Sequence, residues 1–141
     1  MKFTKTEIPK VYIIEPSVIE DNRGYFLESF NLEKFEENVC QIKFIQDNES
    51  KSSKGVLRGL HFQKPPHEQA KLVRVVKGEI LDVAVDLRPK SKTYLKHFSI
   101  LINDQNKIQL FIPKGFAHGF VVLSDYAIVN YKVDNYYNKT S

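Results

Sequence analysis

Residues 79–88 read EILDVAVDLR. Laid out as a strand, Leu81, Val83, Val85 and Leu87 share one face, and Ile80, Asp82, Ala84 and Asp86 share the other. An acid such as Asp82, set among small and apolar neighbours, belongs either on an open edge or inside a polar cavity. Similar runs lie to both sides. KVYIIEP (10–16) precedes a turn at EDNRG (20–24), and GYFLESF (24–30) alternates. IKFIQD (42–47), GVLRGLHFQ (55–63), AKLVRVVKG (70–78), LKHFSILIN (95–103), KIQLFIPKG (107–115), HGFVVLSD (118–125) and AIVNYKV (127–133) follow. These runs are rich in Val, Ile, Leu, Phe and Tyr, with turn residues between them at near-regular spacing. Such spacing predicts an all-β chain folded as an antiparallel sandwich or barrel. The one good helix signal is LEKFEENV (32–39), with Asn31 as its N-cap and acids in its first turn.

The 141 residues suffice for one domain, spanning 1–141, with a real core. Hydrophobic residues make up 42% and charged residues 27%, which argues against disorder. No apolar run approaches the roughly 18 residues of a membrane span, and the N-terminus lacks a signal-peptide core. A single cysteine, Cys40, rules out an internal disulfide and fits a reducing, cytoplasmic setting. The formal charge of +4 reflects either a solvated lysine-rich surface or arginines that meet an anionic ligand. Neither an RNA-binding signature nor a basic run with interleaved aromatics is present, so nucleic acid is not an expected partner.

Within KGVLRGLHFQ (54–63), strand alternation puts Gly59, His61 and Gln63 on one face and Leu60 and Phe62 on the other, the second face looking fit for packing. His61 is then a buried structural histidine, a metal ligand or a base. Two longer segments bear on this: HFQKPPHEQAKLVRVVKG (61–78) and IPKGFAHGF (112–120). Together they resemble the paired motifs of the cupin superfamily, which implies a jelly-roll barrel of antiparallel strands with one short helix. In the usual pattern two histidines and a glutamate of the first motif, and a histidine of the second, hold a metal. Here His61 and His118 remain, but Gln63 stands at the second histidine position and Lys71 at that of the glutamate. An ammonium repels a dication and offers only donors, and two histidines alone make a poor divalent site. The expectation is therefore no metal and no other cofactor. A fixed positive charge stands there instead, suited to a developing oxyanion.

The substitution pattern narrows the resemblance. FIQDNESKSSKGVLRGLHFQ (44–63), KLVRVVKGEILDVAVDLR (71–88), IPKGFAHGFVVL (112–123), NYKVDNYY (130–137) and DNRGYFLESF (21–30) are similar to segments of the dTDP-4-dehydrorhamnose 3,5-epimerase family. The resemblance implies a dTDP-linked 4-keto-6-deoxy-hexose as substrate. Its C3 and C5 hydrogens are alpha to the C4 ketone, so removal of either gives an enolate and reprotonation from the other face inverts the carbon. His61 matches the base, Lys71 the residue near the C4 oxygen, and Tyr131 the acid. His118 lines the same pocket. Gln46, Asp47 and Asn48 match a ligand-contacting triplet, Arg58 a diphosphate contact and Tyr137 an aromatic that stacks on thymine. Arg23 and Glu28 match nucleotide-binding positions supplied across a homodimer interface, with GYFLESF as the exchanged strand. Strand alternation alone makes Asp82 a partner of Lys71 or His118. Each residue has a bland rival: a satisfied core histidine, a solvated lysine, a packed tyrosine, a surface salt bridge. His67 and His97 fall in no motif and read as surface residues. Gly24 reads as a backbone requirement of its turn.

Family members run on past the point corresponding to YYNKTS, into a segment with an aspartate that pairs with the catalytic histidine. The expectation is an imidazole without that partner and a weaker base, unless another acid such as Asp82 takes the role. Two other functions stay open. One is a 3,4-ketoisomerase of nucleotide-linked ketosugars, whose pattern usually has a second histidine where Gln63 stands. The other is a non-catalytic nucleotide-sugar binding cupin.

Overall fold

The structure is a computed structural model, and residues 1–140 are described. Twelve strands and one helix follow in chain order: β1 (Lys2–Lys5), β2 (Tyr12–Glu15), β3 (Val18–Asp21), β4 (Gly24–Leu27), α1 (Leu32–Asn38), β5 (Gln46–Ser53), β6 (Leu57–His61), β7 (Lys71–Lys77), β8 (Glu79–Asp86), β9 (His97–Asn103), β10 (Gln109–Ile112), β11 (Phe116–Val122) and β12 (Tyr126–Val133). Every pairing is antiparallel. One sheet runs β1-β2-β10-β7-β12-β5 and the facing sheet runs β6-β11-β8-β9. The hairpin β3-β4 pairs only with itself.

The core lies between the two large sheets. Val73, Val75, Leu110, Ile112 and Val129 come from the first sheet, and Ile80, Ala84, Ile102, Phe116, Phe120 and Val122 from the second. The alternation of EILDVAVDLR now has a direction. Ile80, Asp82, Ala84 and Asp86 are the buried face, and Leu81, Val83 and Val85 are only half-buried. Two carboxylates thus point inward from one strand. Burial alone would raise the Asp86 carboxyl, but hydrogen bonds from Arg88, Ser91 and Thr93 more than offset this and hold it well below the usual carboxylate range.

A second apolar cluster covers the outer face of the six-stranded sheet. Helix α1 docks there through Phe35, whose ring lies 5.2 Å from that of Phe111. Asn31 caps the helix by accepting a hydrogen bond from the Lys34 N–H, as its position suggested. The helix stops one residue earlier than expected, with Val39 as its C-cap.

β6 departs from simple alternation. Its register against β11 shifts between His118 and Phe120, so that His61 faces His118 while Arg58 faces Phe120. This bulge turns Arg58 and His61, three positions apart, toward the same recess. Leu60 and Phe62 do not form the expected packing face; they are 55% and 53% exposed. Gly59 permits the close crossing. Its φ is +108°, and a Cβ there would stand 2.6 Å from the His118 carbonyl oxygen.

Candidate active site

Strand geometry brings the chemistry to the open end between the sheets. Lys71 opens β7 on the same side as the core residues Val73 and Val75, so its chain starts out into the interior. Tyr131 on β12 pairs with Val73 and packs against the core, one pleat along from Lys71. The Lys71 Nζ lies 5.6 Å from the centre of the Tyr131 ring. His61 ends β6 opposite His118 of β11. His61, Lys71 and Tyr131 all border a cavity of about 390 Å³, and the same three border an adjoining recess of about 110 Å³. A larger hollow of about 750 Å³ lies elsewhere, around Lys10, Cys40 and Phe111, and holds none of this constellation.

Asp82 is fully buried, and its Oδ1 lies 2.6 Å from the buried His118 Nε2, whose N–H donates to it. Its Oδ2 has no hydrogen-bond partner among the described residues. The Lys71 ammonium makes no hydrogen bond or ion pair among them either. Burial pushes the Lys71 ammonium below its ordinary value of 10.5, and the negative charge of Asp82 pulls it back up. Asp82 is therefore buried beside polar groups on an interior strand, not on an edge. It couples to both groups that strand alternation offered it, by a hydrogen bond to His118 and by charge to Lys71. It does not stand in for a carboxylate behind His61, since the His61 imidazole makes no hydrogen bond among the described residues.

These donors do not suit a metal. No group of three or more His, Cys, Asp or Glu able to hold an ion occurs among the described residues. The Asp82 carboxylate is already engaged by His118, and the Lys71 ammonium borders the same recess as both histidines.

The remaining expected site residues divide. Arg58 borders the recess, its Nε donating to Ser52 Oγ at 2.6 Å. Tyr137 borders the cavity of about 390 Å³ and is 72% exposed. Gln46 and Asn48 bond to each other on the inward side of β5, with Asn48 paired opposite Tyr131. Asp47 does not belong with them. Alternation turns it to the outer face, where it accepts a hydrogen bond from Lys132 at 2.9 Å. Arg23 and Glu28 lie outside this chain's own cavity: Arg23 pairs with Asp21 in the β3-β4 turn, and Glu28 with Lys34. Sequence reasoning missed Ser50, Phe62, Glu68, Gln69 and Phe116 as cavity residues. Alternation along QDNESKSS carried the signal for Ser50, which faces inward with Asn48. The loop residues gave none. His67 is not a free surface group, since its Nε2 lies 3.1 Å from Asn138 Nδ2.

An imidazole, an ammonium and a phenol around one cavity of a cupin-type barrel are the kinds of group that proton transfer uses. The comparisons agree with that class. The family model for dTDP-4-dehydrorhamnose 3,5-epimerase matches residues 5–141. The Shigella flexneri dTDP-4-dehydrorhamnose 3,5-epimerase is 56% identical over 140 residues, covering 99% of this chain and 77% of that protein. The crystal structure of the enzyme from Elizabethkingia anophelis superposes with a TM-score of 0.95 at 56% identity, covering 100% of this chain and 78% of the other. A Legionella pneumophila epimerase in complex with dTDP-4-keto-L-rhamnose superposes with a TM-score of 0.96 at 47% identity, covering 99% and 74%. The chain belongs to the dTDP-4-dehydrorhamnose 3,5-epimerase family.

Proposed function

We infer that this chain is an isomerase that epimerises a dTDP-linked 4-keto-6-deoxy-hexose alpha to its ketone, and that His61, Lys71 and Tyr131 carry the chemistry. The observation that carries the reading is the convergence of these three side chains on one cavity. His61 removes the proton from C3 or C5. Electrons move onto the C4 oxygen, where the Lys71 ammonium offsets the developing charge without any redox change. Tyr131 delivers a proton to the opposite face. Asp82 keeps Lys71 charged in spite of its burial, while engaging His118. The dTDP portion meets Arg58 through its diphosphate and Tyr137 through its base. We further propose one domain, a cytoplasmic location, and a homodimer in which the β3-β4 hairpin carries Arg23 and Glu28 to the partner's cavity. Val18, Ile19, Tyr25 and Phe26 on that hairpin are all exposed, which supports a covered state.

Solvent deuterium exchange into dTDP-4-keto-6-deoxyglucose, followed by NMR, tests the function. Label at both C3 and C5 is expected. A 3-keto product would identify a ketoisomerase, and binding without exchange would identify a binding protein. In the same assay His61→Ala is expected to abolish exchange while dTDP still binds; exchange at the parent rate in that variant would remove His61 from the mechanism.

A further inference from the structure

Gln63 stands where related barrels hold a metal-ligating histidine, yet its amide faces the chain's C-terminal segment. Its Nε2 donates to the carbonyls of His67 and of Tyr136, the second at 3.3 Å. Its Oε1 accepts from the Asn138 N–H at 2.8 Å. One amide thus grips the backbone on both sides of Tyr137. The surrounding bonds fasten the same two segments. Gln69 Nε2 donates to the Asn135 carbonyl at 2.9 Å, Asn135 Nδ2 donates to the Pro66 carbonyl at 3.2 Å, and the Ala70 N–H donates to Asp134 at 2.8 Å. Segment 134–138 has no strand partner, and Tyr137 is mostly exposed, so little apolar burial holds that ring at the cavity.

We propose that Gln63 is a positioning residue: it ties the segment bearing Tyr137 to the end of the strand that carries His61, and so holds the aromatic ring ready for the nucleotide base. The proposal rests on the reading of Tyr137 as the base-stacking residue. Gln63 suits the role because its amide both donates and accepts; a carboxylate would lose the donors, and a thioether would lose the donors and keep only a weak acceptor. A ring already ordered before binding spares the ligand the entropy of ordering it.

The test measures dTDP affinity by calorimetry for the parent, Gln63→Met, Tyr137→Ala and the double variant. Each single variant is expected to weaken dTDP by about tenfold, and the double variant no more than Tyr137→Ala alone, because the amide acts through the ring. Additive losses would overturn the proposal, as would parent-like affinity in Gln63→Met beside a weakened Tyr137→Ala. Parent-like affinity in Tyr137→Ala would overturn both the proposal and the stacking assignment beneath it. The chain has no tryptophan, so Tyr137→Trp gives a single reporter. Its fluorescence anisotropy without ligand is expected to fall when Gln63→Met is added, a change that a general loss of stability below the melting range would not produce. Unchanged anisotropy would count against the proposal.

Discussion

At the scale of the residue, the Lys71 ammonium is under two opposed influences. Desolvation favours the neutral amine and the Asp82 carboxylate favours the cation. The proposed chemistry needs the cation, so activity falls as pH rises through the Lys71 pKa, which lies below that of a free lysine. Removing the carboxylate leaves desolvation unopposed. Asp82→Asn is therefore expected to move the alkaline limb of the exchange profile to lower pH, and an unmoved limb would separate Asp82 from Lys71. The sign for stability is separate. A lysine whose folded pKa is depressed binds fewer protons folded than unfolded between the two values, so its destabilising effect fades as pH rises through that window. Lys71 and Asp82 were legible in the sequence. One broke a metal motif by changing its charge, and the other broke an apolar alternation.

At the scale of the element, the β6-β11 crossing sets how His61 is presented. The bulge brings Arg58 and His61 to one recess, and it depends on a glycine with positive φ pressed against the His118 carbonyl. Gly59→Ala has no room for its methyl group at a backbone contact. It is expected to destabilise the protein by about 2 kcal/mol or more in denaturant unfolding, and to reduce exchange even where the chain stays folded. Parent-like stability would show that the crossing yields easily. Element order and the single helix could be read from turn spacing and the Asn31 cap. The bulge could not, because period-two alternation cannot register an extra residue set by the neighbouring strand. The same blindness put Leu60 and Phe62 on a packing face. Asp47 differs from its two neighbours in the triplet: alternation along β5 turns it away from Gln46 and Asn48 and toward Lys132.

At the scale of the whole molecule, two sheets enclose the core and one hairpin pairs with neither among the described residues. Its exposed Ile19, Tyr25 and Phe26 need a cover, and the proposed homodimer supplies one. Light scattering is expected to give twice the monomer mass, and Phe26→Asp to shift it toward the monomer. A monomeric parent would return Arg23 and Glu28 to the surface pairs they make within one chain. The C-terminal segment was the least readable part of the molecule. Its bonds run from side-chain amides to backbone carbonyls some seventy residues away, and no periodicity announces them.

The proposed chemistry depends on the amine of Lys71 performing electrostatic work that a bound ion performs in related barrels. The most direct measurement is deuterium incorporation at C3 and C5 in chelator-treated buffer, for the parent and for Lys71→Met. The parent is expected to exchange undiminished and Lys71→Met to lose exchange while still binding dTDP. Exchange persisting in Lys71→Met, or exchange in the parent that disappears with chelator and returns with a divalent cation, would contradict the account.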